Sequence, residues 1–297
     1  MEPQPVLVPE LATFKVTLSP IDARIQLNRI SDASRKPVDL TFVNGHDNRE
    51  TLLRLMIPVA RSDQREGEAP ALNGSLEDWT AADCIQNGRL VRMLSRPAMH
   101  RQELQFAQTN TQVFSSWTLK DLYLAFRVEG IEQPKPGAAR SLVENFQFRR
   151  AWGEDLAEVL IQPIYADNTA GPVVHIICRP GGQVQVARKL NPKLHAEPLQ
   201  PVAGADVRYA ATVAPPPSAE GAAPSTTGQI WRGEVAIPWA LLGDPNRKDL
   251  PALLRFNFVQ HRHAVGESAS WAGPVDYGRD ESFMGLLDVR ALDRIRP

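Results

Sequence analysis

Flat aromatic rings next to carboxylates are the residues in this chain best suited to recognition chemistry. Sugars bind by laying their C–H faces on such rings while polar side chains take up the hydroxyls. The six tryptophans are Trp79, Trp117, Trp152, Trp231, Trp239 and Trp271. Five of them adjoin strongly apolar patterns and read as core or edge packing. Trp152 differs. It stands in Phe148-Arg149-Arg150-Ala151-Trp152-Gly153-Glu154-Asp155, a polar loop just before a strand-like run. An exposed ring there is costly without a ligand, so Trp152 is the candidate binding ring; a sixth packed indole is the competing reading.

Other chemistries fit less well. Glycoside hydrolysis needs two carboxylates facing each other across a bond. Glu154 and Asp155 are chain neighbours, and neighbours on a strand point to opposite faces. His261 and His263 share one face of a strand and form a fragment of a metal site. With no third ligand signalled, a solvated or hydrogen-bonded pair is the preferred reading. The chain has no GxSxG elbow, phosphate-binding loop, HExxH or CxxC, so no catalysis is expected. Gly181-Gly182 reads as a turn, because no helix follows to complete a phosphate cradle. Cys84 and Cys178 read as two unrelated buried thiols in preference to a disulfide.

The bulk composition narrows the partners. The 297 residues carry 33 basic and 34 acidic side chains, a formal net charge of -1, with 43% hydrophobic residues. Such a balance creates no field for nucleic acid or an anionic membrane surface. No apolar run approaches the ~18 residues of a membrane span. Met1 to Glu10 is proline-rich and acidic and lacks the basic and apolar regions of a signal peptide. The chain is therefore expected to be cytoplasmic as written or a piece of a longer secreted or cell-surface protein.

The elements that must position these residues are short strands. Phe14–Leu18, Ala23–Leu27, Leu40–Val43 and Thr51–Val59 alternate at period two and are expected to form a small, truncated immunoglobulin-like β-domain over residues 1–65. Arg61–Pro70 is polar and reads as a linker. Beyond it, Asp121–Val128, Ala157–Pro163, Val173–Cys178, Gln183–Ala187, Gly233–Pro238 and Leu254–Val259 continue the strand rhythm, with Trp239–Gly243 as a single helical turn. Many short strands between turn residues predict an all-β protein. Its second domain, 66–297, is expected to be an antiparallel, jelly-roll-like β-sandwich. Residues 214–228, rich in proline and alanine, read as a disordered hairpin insertion.

Several of these segments, taken in order, resemble a known family. They are Leu72-Asn73-Gly74-Ser75-Leu76-Glu77-Asp78-Trp79; Ser116-Trp117-Thr118-Leu119-Lys120-Asp121-Leu122-Tyr123; Trp152-Gly153-Glu154-Asp155-Leu156-Ala157-Glu158-Val159; Trp231–Trp239; Arg255–Phe258; Ser270-Trp271; and Phe283–Leu287. Together they are similar to the family 9 carbohydrate-binding modules, over nearly all of 71–297. The resemblance implies a non-catalytic sandwich holding a polysaccharide or oligosaccharide between two rings. By position, Trp152 falls on the first ring and Tyr277 near the second. Glu158 falls on a hydroxyl-accepting carboxylate, and His175 replaces an arginine. Asp276 or Arg279 would supply nearby polar contacts. No cofactor is implied beyond a structural calcium, for which Asp276, Asp280 and Glu281 are the candidate ligands.

Two other functions compete with this one. A related sandwich, the DOMON-type domain, binds haem through an axial pair, and Met93, Met99-His100 and Met284 are the nominees here. A third reading is a structural spacer with no ligand.

Overall fold

The computed structural model describes residues 6–8, 34–44, 50–92, 106–131, 154–189, 200–215, 228–243, 247, 249–263, 265–272 and 284–290. Strands β1 (Val6–Val8), β2 (Ser34–Asn44), β3 (Glu50–Arg61) and β4 (Asp63–Gln64) come first. After a 3-10 turn at Ala81–Asp83 come β5 (Cys84–Arg92), β6 (Phe106–Trp117) and β7 (Asp121–Ile131). Next are β8 (Leu156–Ile164), β9 (Val173–Cys178), β10 (Val184–Lys189), β11 (Gln200–Pro201), β12 (Arg208–Ala214) and β13 (Gln229–Pro238). The expected single helical turn, α1 (Trp239–Leu242), leads to β14 (Leu253–Arg262), β15 (Glu267–Ser270) and β16 (Gly285–Asp288). Of the strands expected near the N-terminus, Leu40–Val43 and Thr51–Val59 fall in β2 and β3. Phe14–Leu18 and Ala23–Leu27 lie outside the described residues.

These strands form two packed layers, as the alternating pattern predicts. One layer runs β12-β13-β7-β6-β5, antiparallel throughout. The other runs β11-β10-β9-β8-β14, also antiparallel, with β15 and β16 set end to end along the far edge of β14. β15 also pairs with β5, Ala269 opposite Arg92 and Ser270 opposite Val91, which joins the layers into one curled sheet. The protein is an all-β, antiparallel sandwich. Among the described residues, no helix is long and apolar enough to cross a membrane.

The core lies where the inward positions of the two layers meet. β7 contributes Leu122, Leu124, Phe126 and Val128; β8 contributes Ala157, Val159 and Ile161; β14 contributes Leu254, Phe256 and Phe258. Rings interlock within each layer and, through Phe126 and Phe258, across the gap. Phe126 lies 4.9 Å from Trp231 and 5.3 Å from Phe258, and Phe256 lies 5.3 Å from Trp271. Each such buried side chain stabilises the fold by roughly 1.5–3 kcal/mol. Trp79, Trp117, Trp231, Trp239 and Trp271 are all buried, as expected from their apolar surroundings. Cys84 and Cys178 are separate, buried thiols that form no disulfide with each other.

Two further features fix the frame. The segment Leu72–Trp79 packs onto the outer face of the first layer, where Trp79, Cys84, Phe114 and Tyr123 form a second apolar cluster. It is held there by Glu234 of β13, whose buried carboxylate accepts from the backbone of Asn73 (2.8 Å) and Gly74 (2.5 Å) and from the Trp79 indole (3.0 Å). Gly74 has φ +73°, and a Cβ there would lie 2.8 Å from Thr212, so only glycine makes this approach. At the other seam, Val59–Arg61 of β3 pairs in parallel with Leu286–Asp288 of β16. Ser62 follows directly and bonds Asp288, Ser115 and the Trp117 indole. β12 and β13 stay in register up to Ala214 and Ile230. The proline-rich segment therefore connects the two strands of one antiparallel pair; its residues 216–227 lie outside the described residues.

Candidate functional site: a buried carboxylate between two histidines

On β8, Ala157, Val159 and Ile161 point into the core, so Glu158, Leu160 and Gln162 point to the layer's outer face. The same alternation puts His175 outward between Val174 and Ile176 on β9, and puts Val259 and His261 outward on β14. Register then decides which of these meet. Glu158 is opposite Ile177 on one side and Val259 on the other, while His175 is opposite Leu160 and His261 is opposite Leu156. Both histidines are thus diagonal neighbours of Glu158, within reach of long side chains.

The three side chains close into one cluster. Nε2 of His175 lies 2.5 Å from Oε2 of Glu158, and Nε2 of His261 lies 3.0 Å from Oε1. Nδ1 of His261 lies 2.7 Å from the Ser268 hydroxyl on β15. Glu158 is 0% exposed, His175 1% and His261 7%. Burial pushes the Glu158 carboxyl up. The charge of His175, the hydrogen bond from it, and the contacts with His261 outweigh burial and hold the group well below the usual carboxylate range. Beside them on the core face, burial and then the Glu158 charge push the Cys178 thiol up, which keeps it protonated.

The neighbourhood is polar along one line and apolar beside it. Gln162 accepts from Arg255 at 2.7 Å, and Leu160, Val173, Val259 and Met284 form an apolar cluster on the same face. Met284, one of the nominated haem ligands, is therefore buried among aliphatic side chains. Met93, Met99 and His100 lie outside the described residues. Glu154 pairs with Arg179, whereas Asp155 accepts from the backbone N–H of His263 at 2.6 Å. The two carboxylates diverge, as their adjacency in sequence predicts.

Glu158 and His175, singled out by resemblance, are brought together. Trp152, Asp276 and Tyr277 lie outside the described residues, as do the calcium candidates Asp280 and Glu281. The described chain enters β8 beside His261, and on the same face Ala272, whose N–H binds Asn257, precedes a stretch outside the described residues that ends at Met284. His261 is the member that sequence reasoning missed. It was paired with His263, which instead sits exposed in the turn after β14. Its outward parity was legible, but its partner required the β8–β14 register. Among the described residues, no group of three or more His, Cys, Asp or Glu side chains is arranged to hold a metal ion.

Solved structures resemble this architecture. A protein from Bacteroides uniformis proposed to bind carbohydrate superposes with a TM-score of 0.50 at 12% identity, covering 78% of this chain and 99% of that one. A family 9 carbohydrate-binding module from Caldicellulosiruptor kristjanssonii in complex with glucose gives 0.44 at 12% identity, covering 80% of this chain and 100% of its own. The same organism's module with cellotriose gives 0.42 at 10%, covering 80% and 98%. No family model and no curated protein matches the sequence. At this level of identity the likeness is one of fold, and the chain shares its β-sandwich architecture with the Bacteroides protein.

Proposed function

We propose that this chain binds carbohydrate without catalysis, on the outer face of the β9-β8-β14 layer, as an accessory module of a larger secreted or surface protein. The observation that carries the reading is the buried Glu158 carboxylate set between His175 and His261 outside the sandwich core. A charged acceptor beside imidazole donors is the hydrogen-bonding set that sugar hydroxyls require, and desolvation strengthens it. The fold shared with a protein proposed to bind carbohydrate supports the same reading. In this proposal Trp152 and Tyr277 supply the two stacking faces and Asp276 a rim contact. Calorimetric titration of the chain with mono- and disaccharides tests the proposal, and absence of binding across a glycan array rejects it.

One observation favours a second reading. Both Glu158 oxygens are already engaged and the group is fully buried, which also suits a cross-brace in a ligand-free spacer. Under that reading Trp152→Ala lowers the melting temperature and the intact chain binds no sugar. A haem-binding domain would instead show itself by an absorbance band at ~400 nm in the purified protein.

A further inference from the structure

We propose that Arg232 and Arg127 form a second ligand site, on the outer face of the β13-β7-β6 layer, which takes the carboxylate of an acidic oligosaccharide built from uronate sugars. The site shares no residue with the Glu158 cluster on the other layer and does not depend on it.

Strand parity and register build the pair. Trp231 on β13, and Phe126 and Val128 on β7, lie in the core, so Arg232 and Arg127 point outward. Arg232 stands directly opposite Arg127. They are the centre of an unbroken polar row, Thr212, Arg232, Arg127, Gln112 and Asn87, across β12, β13, β7, β6 and β5. Like charges directly opposite one another destabilise a sheet. A face that serves structure alone gains nothing from this pair.

Nearby carboxylates neutralise only one of the two. Glu129, the next outward residue of β7, pairs with Arg127 at 2.7 Å, and both side chains are partly exposed. Glu234, the next outward residue of β13, turns its oxygens to Asn73, Gly74 and the Trp79 indole instead. Arg232 is partly exposed and makes no hydrogen bond or ion pair among the described residues. A guanidinium fork without an acceptor, beside a second guanidinium, matches a carboxylate in shape and charge.

The rest of the face selects what carries that carboxylate. At one end the row meets the Leu72–Trp79 segment, where the Thr212 hydroxyl donates to the Gly74 carbonyl at 2.6 Å. Toward β5 it continues in amides, with Gln112 donating to Asn87 at 3.2 Å. Asn110, the next outward residue of β6, is opposite Arg89, and both are exposed. Three strand spacings, ~14 Å, separate β13 from β5. Such a face suits a ligand with a carboxylate on each of several rings and hydroxyls between them, which amides and the Glu129 carboxylate can bind. A phosphate backbone, charged at every nucleotide, would be opposed by Glu129.

Titration calorimetry of the full chain with galacturonate and glucuronate trisaccharides, their methyl esters and a single-stranded oligonucleotide tests this. We expect at least one acid form to bind, and its methyl ester to bind at least ~10-fold more weakly. Arg232→Gln should weaken the acid form by a similar factor. It should leave the melting temperature equal or higher, because it relieves the like-charge pair. Glu158→Gln, on the other layer, should leave uronate binding unchanged, which separates this site from the one proposed above. The proposal is overturned if neither acid form binds, if the ester binds as well as the acid, or if the oligonucleotide binds more tightly than both. It is equally overturned if Glu158→Gln removes the binding, or if Arg232→Gln lowers the melting temperature, which would make the arginine a structural brace.

Discussion

The indole of Trp79 donates to Glu234 at 3.0 Å, across the outer face of the first layer, and the same carboxylate takes the backbone N–H groups of Asn73 and Gly74. One buried side chain of β13 therefore fixes the whole entry loop. Glu234→Ala leaves three donors without an acceptor and should destabilise the protein by about 3 kcal/mol or more. Glu234→Gln keeps one oxygen acceptor and should cost less. Denaturant unfolding of the two variants beside the parent chain checks the order.

Gly285 sits opposite Phe256 on β14, and a Cβ there would lie 2.5 Å from the Trp271 ring and 2.7 Å from the Pro58 carbonyl. Neither the ring, packed on Phe256, nor the backbone can give way without disturbing the seam. Gly285→Ala should cost about 1–3 kcal/mol as overpacking, with near-ultraviolet circular dichroism reporting the displaced indole. Gly67→Ala, with nothing within 4 Å, serves as the control.

The expected domain boundary at 65/66 can be tested by truncation. A chain beginning at residue 66 loses the Val59–Arg61 pairing with β16 and the buried Ser62 bonds to Ser115 and Trp117. A chain beginning at residue 57 keeps them. The shorter one should melt lower by about 5–10 °C, since each lost buried hydrogen bond counts at this size. Equal melting temperatures would place the boundary where the composition change suggests.

The proposed sugar recognition is probed at Trp152 and Glu158. Trp152→Ala should weaken binding by roughly ten- to a hundredfold, by analogy with base stacking on aromatic side chains. It should leave the melting temperature close to that of the parent. Glu158→Gln should weaken binding by removing the charged acceptor. Titration calorimetry with disaccharides, run beside melts of both variants, separates a lost contact from a lost fold.

Much of the sandwich is legible in the sequence, because β7, β8, β9, β13 and β14 present bulky apolar residues at every second position. Strands β5 and β6 are not. The inward positions of β6 include Thr111 and Ser115, which look like loop residues until their hydroxyls are seen to bond Gln260 and Ser62. β5 carries two register shifts, with Gly88 at φ +128° near their middle. For the site, Glu158 and His175 were accessible through resemblance, whereas His261 was not. Which residues of three strands meet diagonally depends on two registers, and register is set by turns and packing far from the residues concerned.

The parallel pairing of Val59–Arg61 with Leu286–Asp288 carries a consequence for synthesis. Its two halves lie far apart along the chain, so this seam cannot close until Asp288 has left the ribosome. Until then the Leu253–Phe256 stretch of β14 lacks its β16 partner and offers an open, apolar strand edge. The nascent chain is thus exposed to misassembly between the emergence of β14 and that of β16. Slowed translation, or a stalled ribosome, between β14 and β16 should lower the soluble yield more than a pause anywhere between β5 and β13.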